Sequence, residues 1–310
     1  MALNYAEVWS PDLLEIMEQE SLTSPFVTTA VKWLSAKTFH FTQMSTSGYK
    51  SHSRLGGWNK GTFAQTDVPF TLTHDRDISF LVDKIDVDET NETASIKNIS
   101  EVFHKTQQIP EMDAYFYSKV ATEAQKLDGY HSSTALSSYT KDNVYGKLKA
   151  MLSAGKLRRY VSKGALIAYV NSTIMDLLEQ STDFTRKIEM TQIAEGGIGI
   201  ETRITDIDGV TLIEVIDDER FFDKFDFTDG FAPVASTSHK INVLIASPLT
   251  VKTVPKIASI YYFNPGQHTE GDGYLYQDRS LSDTFVFPNG KDNKIDSIYV
   301  DVDTETYSAE

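Results

Sequence analysis

The chain has 310 residues, a formal net charge of -15, 40% hydrophobic residues and no cysteine. Length and apolar content support one large mixed domain, or two modest ones, around a packed core, and argue against a disordered chain. The missing cysteines exclude disulfides, thiolate metal sites and a cysteine nucleophile, and fit synthesis in a cytoplasm. The acidic balance argues against a protein whose main task is gripping nucleic acid. No apolar run reaches the roughly 18 residues that a membrane span needs. Met1 to Glu7 has no basic stretch leading into an apolar one, so no secretory signal is expected.

In chain order, Ser10-Pro11-Asp12 supplies a cap, a proline and an acid for a short helix carrying Leu13, Leu14 and Met17. Residues 21 to 37 are rich in Ser and Thr and predict an extended arm. From Thr38 to Ser53 the alternation is loose, with only Phe39, Phe41, Met44 and Tyr49 as apolar anchors. A strand with so thin an apolar face is poorly buried in its own subunit. Arg54-Leu55-Gly56-Gly57-Trp58-Asn59-Lys60-Gly61 reads as the tip of a long hairpin. Phe70, Leu72, Ile78, Phe80 and Val82 supply the expected return strand, ending at Asp83. An isolated two-stranded ribbon is marginal in water, so this flap is expected to rest on a neighbouring copy.

Ile109-Pro110-Glu111 opens the clearest helix, with Phe116, Val120, Ala124 and Leu127 in one stripe and Gly129 at its end. A second helix is expected over 140 to 154, with Val144, Leu148, Met151 and Leu152 inward. Ala165 to Val170 reads as a buried strand, and Asn171 or Ser172 caps a helix carrying Ile174, Leu177 and Leu178. Arg203 to Val215 predicts a hairpin turned at Asp208-Gly209. Further strands are expected at 241 to 246, 257 to 263, 284 to 287 and 298 to 302. No repeat or Pro-rich linker divides the chain, and the whole reads as an α+β fold.

Charge is segregated along the chain. Between Glu20 and Asp67 there is no acid, but Lys32, Lys37, Lys50, Arg54 and Lys60 lie there. Lys141 to Lys163 is a second basic stretch, with Lys147, Lys149, Lys156, Arg158 and Arg159 against Asp142. Acids collect at Asp83, Asp86, Asp88, Glu89 and Glu92, and again from Glu201 to Asp229. Two readings follow. One copy's basic segment lies on the next copy's acidic body, a head-to-tail contact that builds rings and shells and is sensitive to salt. Otherwise the two signs neutralise each other within one fold.

Signals for catalysis are weak. The acids from Asp83 to Glu92 lack the glycine and glutamate register of a calcium loop and read as an acidic turn. Gly196-Gly197-Ile198-Gly199 lacks dinucleotide-binding spacing and is followed by no Walker lysine, so it reads as a loop or bulge. The seven histidines include no His-x-x-x-His pair, and His74 beside Asp75 reads as a pair of surface neighbours. No nucleophile meets a base, and neither cofactor nor metal is expected. Trp58 has two readings, an anchor in a neighbour's pocket or a ring packed on its own hairpin.

Several segments resemble the major capsid proteins of tailed double-stranded-DNA bacteriophages. They are Thr71-Leu72-Thr73-His74-Asp75-Arg76, then Phe80-Leu81-Val82-Asp83-Lys84-Ile85-Asp86-Val87-Asp88-Glu89-Thr90, then Ile109-Pro110-Glu111-Met112-Asp113-Ala114-Tyr115. The opening Ala2-Leu3-Asn4-Tyr5-Ala6 is similar too. The likeness is strongest over residues 1 to 130 and thinner, in compatible order, beyond.

That resemblance implies the Hong Kong 97 fold and no enzymatic activity. The N-terminal arm would be 1 to 38, and the extended loop 39 to 93. The peripheral domain would be 94 to 155, with a spine helix at 109 to 128. The axial domain would be 156 to 235, and the chain would return to the peripheral domain over 236 to 310. Copies would form pentamers and hexamers of an icosahedral virion shell, assembled in host cytoplasm. The partners implied are a portal, packaged double-stranded DNA held without base readout, and no membrane. Because the arm begins at once, either a separate scaffolding protein acts or the chain is already mature. Arg54, Trp58, Lys60, Arg76, Glu111 and Asp113 are the candidate contacts between copies. Some relatives join copies by a lysine-asparagine isopeptide bond, for which Lys60 and Asn289 or Asn293 have suitable chemistry. The alternatives are an encapsulin-type compartment shell, a phage tail component, and a hydrolase with a polar pocket of perturbed groups.

Overall fold

Apolar side chains on both sides of several strands build the centre of the molecule. The computed structural model describes residues 21–29, 37–52, 54, 56, 58–85, 96–161, 165–181, 189–191, 202–289 and 294–308. The helix expected from Ser10, the acids from Asp86 to Glu92, the glycine cluster at 196 to 199 and Asn293 lie outside these residues. Strands β1 (Thr38–Thr46) and β2 (Phe63–Thr71) are followed by β3 (His74–Asp83), helix α1 (Ile96–Phe103) and helix α2 (Ile109–Gln125). Then come β4 (His131–Ser133), α3 (Val144–Leu152), the one-turn α4 (Arg158–Val161), β5 (Ile167–Asn171), α5 (Ser172–Gln180) and β6 (Glu189–Thr191). A hairpin of β7 (Thr202–Ile207) and β8 (Val210–Val215) leads to the short β9 (Phe225–Asp226) and β10 (Ala232–Pro233). The chain closes with β11 (His239–Ala246), β12 (Val251–Phe263), β13 (Gly273–Val286) and β14 (Ile298–Thr306).

A mixed seven-stranded sheet, in the order β4-β14-β11-β5-β8-β7-β6, carries two cores. Ala168, Val170, Leu212, Val243 and Ile245 face one side, under Val144, Leu148 and Leu152 of α3 and Ile174 and Leu178 of α5. One residue out of phase, Tyr169, Ile213, Leu244 and Ala246 face the other, with Phe116, Val120 and Ala121 of α2. A strand covered on both faces needs apolar residues at nearly every position, which is why 241 to 246 reads as a near-continuous apolar run. Asn171 caps α5 by accepting the Thr173 N–H at 2.9 Å. Asp208 and Gly209 take φ of 53° and 79°, the paired positive values that a two-residue hairpin turn requires.

The long helix begins earlier than expected. Residues 96 to 125 are helical throughout, and the segment His104–Gln108 between α1 and α2 is a π turn, with the Ile109 N–H donating to His104 O. Pro110 has no N–H to give to the turn before it, so the ladder is interrupted there in any case. The helix ends at Gln125, and Gly129, at φ +80°, reverses the chain after it.

Two expectations about the N-terminal third need correction. The segment from Ser21 is not a loose arm over its described part. Pro25 sits in a single turn, Ser24–Phe26, and Leu22 and Phe26 are buried beside Phe116 and Tyr169. The Phe26 and Phe116 ring centroids lie 4.6 Å apart. Nor does the return strand of the flap continue to Asp83. β2 stops at Thr71, and β3 leaves to pair with β13, from His74↔Ser282 to Asp83↔Gly273, in a sheet of order β12-β13-β3. The Thr73 N–H and hydroxyl both donate to Asp283, which turns the chain at this point. Beyond it, Phe80 and Val82 find their cover on Tyr276, Tyr274 and Ile99.

If the 21–29 segment is pinned by this core, Phe26→Ala costs about 3–5 kcal/mol in urea unfolding. Val27→Ala, at a position 42% exposed, costs within about 0.5 kcal/mol. Equal small effects would show that the segment is only loosely attached.

Candidate assembly surface

The β1–β2 hairpin pairs over nine residues, from Thr38↔Thr71 to Thr46↔Phe63, and stands away from the body. Among its described side chains only those at the base are buried. Phe39 and Leu72 join Val254, Leu281 and Phe287, with Phe70 and Phe285 against them. The Phe70 ring lies 4.9 Å from Phe287 and 5.3 Å from Phe285, both edge-on. This is a clamp of four phenylalanines in favourable edge-to-face geometry. Outside the base, Lys37 Nζ donates to Asp75 at 2.9 Å, and Arg279 grips the same carboxylate through Nε at 3.1 Å and Nη2 at 3.0 Å. The Arg279 and Lys37 hydrogen bonds hold the Asp75 carboxyl down at about 2.

The distal hairpin exposes apolar side chains among polar and cationic ones. Met44 is 59% exposed, Phe63 75% and Trp58 94%. Among the described residues the one ring neighbour of Trp58 is His52, at 6.4 Å between centroids. Arg54 and Lys60 are exposed beside it. Asn59 Nδ2 donates to Ser51 O at 2.8 Å, and the Thr62 N–H donates to Ser47 Oγ, so the loop closes on itself by hydrogen bonds between side chain and main chain. A second exposed apolar surface lies at the far end of the β12-β13-β3 sheet, where Ile260, Tyr261, Tyr262 and Leu81 are each about half exposed or more.

The remaining candidates sit at the start of α2. Arg76 Nε donates to Glu111 Oε1 at 2.6 Å, and its other nitrogens reach Phe227 O and Gly230 O. Burial pushes the Glu111 carboxyl up, but the hydrogen bonds of His74 and Arg76 and their charges together hold it below its usual value. His74 itself stacks on Tyr115 at 3.9 Å and is not a bare surface neighbour of Asp75. Asp113 is fully buried, which corrects its assignment as a contact between copies. It accepts from Ser21 Oγ, the Leu22 N–H and Thr23 Oγ1 at 2.9, 3.1 and 2.7 Å, and from Arg220 Nη1 at 3.2 Å. Arg220, 1% exposed, also bonds Asp217. Burial pushes the Asp113 carboxyl up, and Arg220 and the three donors pull against it. Sequence reasoning missed Arg220. The available signal was that no other cation interrupts the acidic run from Ile204 to Asp223.

Part of the charge segregation resolves inside the chain. Lys149 and Arg158 meet Asp208 at 3.5 and 3.4 Å, and Arg159 meets Asp296 at 3.6 Å. Asn289 donates to Asp296 at 2.6 Å in a cavity of about 520 Å³ that also holds Lys126, Lys156, Arg159 and Lys294. A larger groove, of about 630 Å³, opens between β3, β13, the π turn and the 228–230 loop. Among the described residues no group of three His, Cys, Asp or Glu is placed to hold a metal ion, and no helix is long and apolar enough to cross a membrane.

If Asp75 ties the hairpin base to β13, its lowered pKa contributes stability that is complete above about pH 5 and lost as pH falls through about 2. Because the pair is partly solvated, the contribution is about 0.5–1 kcal/mol. Unfolding midpoints of the native chain and of Asp75→Asn should therefore differ above about pH 5 and converge near pH 2. A gap independent of pH would rule out the carboxylate as its source.

No family model and no curated protein matches this chain. Solved structures do match it, along nearly its whole length. A chain in the asymmetric unit of the bacteriophage PhiM1 mature capsid is 12% identical with a TM-score of 0.64, spanning 97% of this chain and 92% of that one. A chain of the capsid of the cyanophage P-SCSP1u is 10% identical with a TM-score of 0.61, spanning 98% and 94%. One from Mycobacterium phage Che8 is 15% identical with a TM-score of 0.56, spanning 95% and 96%. The likeness is one of fold, and it is the α+β capsid fold that the sequence resemblance implied.

Proposed function

We propose that this chain is the major capsid protein of a tailed double-stranded-DNA bacteriophage, a structural protein whose copies close into an icosahedral shell. The observation that carries the reading is the hairpin. Its nine-pair ladder is anchored only at one end, and it carries Trp58, Phe63 and Met44 into solvent. Exposed aromatic surface on a projecting ribbon is stabilised when another copy covers it. A ribbon that meets a different patch on the next copy makes a heterologous contact, and rings follow where the rotation closes. The capsid chains described above share this fold over 92% or more of their own lengths.

On this reading 1 to 38 is the arm, and the extended loop expected over 39 to 93 is carried by the β1–β2 ribbon, with β3 in the sheet at its root. Residues 94 to 155 form the peripheral domain around the spine helix, 156 to 235 the axial domain, and 236 to 310 the return. Pentamers and hexamers form in host cytoplasm around a separate scaffolding protein, with a portal at one vertex. The shell holds DNA by non-specific contact, in keeping with a net charge of -15. No cofactor takes part. Arg54, Trp58, Lys60, Arg76 and Glu111 are the proposed contacts between copies.

Expression with the scaffold encoded beside it should yield closed icosahedral particles by negative-stain microscopy. Tubes would indicate a tail component instead, and persistent monomers would refute the shell. Trp58→Ala should weaken association between copies by about 2 kcal/mol or more, as for a buried aromatic anchor. It should leave monomer unfolding within about 0.5 kcal/mol of the parent. Equal loss in both measurements would place the indole in its own subunit's core.

A further inference from the structure

The groove between β3, β13 and the π turn differs in lining from the cavity at Asn289. Phe80, Phe103 and Met112 give it an apolar floor, and Asp77, Glu111 and Asp229 stand around it. Among the described residues its one lysine or arginine is Arg76, whose guanidinium is already committed to Glu111, Phe227 O and Gly230 O. The Phe80 and Phe103 rings meet edge-on at 5.4 Å, leaving a wall of aromatic surface beside them. Met112 remains 37% exposed. The cavity at Asn289 leans the other way, with Lys126, Lys156, Arg159 and Lys294 against Asp128 and Asp296.

The hairpin tip is the complement of this groove. It offers an indole 94% exposed, flanked by Lys50, Arg54 and Lys60, in a stretch with no acid from residue 21 to residue 66. The geometry points to a specific seat, and we infer that Trp58 of one copy docks in the Phe80–Phe103–Met112 groove of another, with Arg54 and Lys60 facing Asp77 and Asp229. A cationic tip is repelled by the cavity at Asn289 and drawn to this one. The tip cannot reach its own groove. The groove adjoins the hairpin's base, because β3 begins three residues after β2 ends. Nine paired residues hold the tip about 30 Å away from that base. The occupant is therefore a second copy, and the contact joins two different patches, as ring closure demands.

This inference rests on the proposed shell, and one set of variants separates the two. The chain has no cysteine, so engineered pairs report without background. In assembled particles, Asn59→Cys combined with Asp229→Cys should oxidise to a ladder of linked chains on denaturing gels. Asn59→Cys combined with Lys126→Cys should not. Particles that give no ladder with the first pair, or one with the second, overturn the docking site and leave the shell intact. Absence of particles from the unmodified chain overturns the shell itself. As a check free of cysteine, Arg54→Glu with Lys60→Glu should slow assembly about tenfold or more. Asp77→Lys with Asp229→Lys should restore it. Assembly at the parental rate without the second pair overturns the inference.

Discussion

A carboxylate sealed from water must be matched by charge and by donors, and Asp113 meets that condition by drawing three distant stretches of chain to one point. The turn at Ser21 to Thr23, the head of the long helix, and Arg220 from the acidic run all converge on it. Removing one partner of such a set leaves the others buried and uncompensated, which makes the arrangement intolerant of slippage. Leu22 and Phe26 are thereby held against Phe116 and Tyr169. The path of the N-terminal segment is set from inside the subunit before any second copy is involved.

The hairpin shows the opposite economy. Four phenylalanines and the Lys37–Asp75–Arg279 cluster fix its root, while its far end has no cover. A rigid root makes the free end useful. An anchored root limits the positions open to the free end, so docking costs less conformational freedom and more of the burial appears as association free energy. The subunit is thus stabilised at one end of the ribbon, and the assembly at the other.

What was legible in the sequence was local. The α3 and α5 helices, the turn at Asp208-Gly209 and the cap at Asn171 follow from neighbours a few residues apart. The partner of β3 did not, because Phe80 and Val82 alternate identically whether they continue a flap or join a strand some two hundred residues away. β13 was recognised only at its last residues. The rest includes Asp278 and Asp283, acids that suggest an exposed strand, yet both are buried, with Asp283 bonded to Thr73 and Tyr115. For the same reason Asp113 was mistaken for a surface acid at a helix start. Of the assembly surface, the glycine-flanked Trp58 was evident from sequence, whereas the acid-lined groove needs residues from four separate segments.

The π turn between the two helices has a geometric consequence of its own. One additional residue in a helical turn rotates everything before it by about 100° relative to an uninterrupted α-helix. Here Ile99 and Phe103 lie against the β3–β13 sheet, while Phe116, Val120 and Ala121 lie against the seven-stranded one. A single continuous rod therefore serves as a shaft with two keyways cut at different angles. Insertion or deletion of one residue in that turn resets the orientation between the two sheets without altering any side chain in either core.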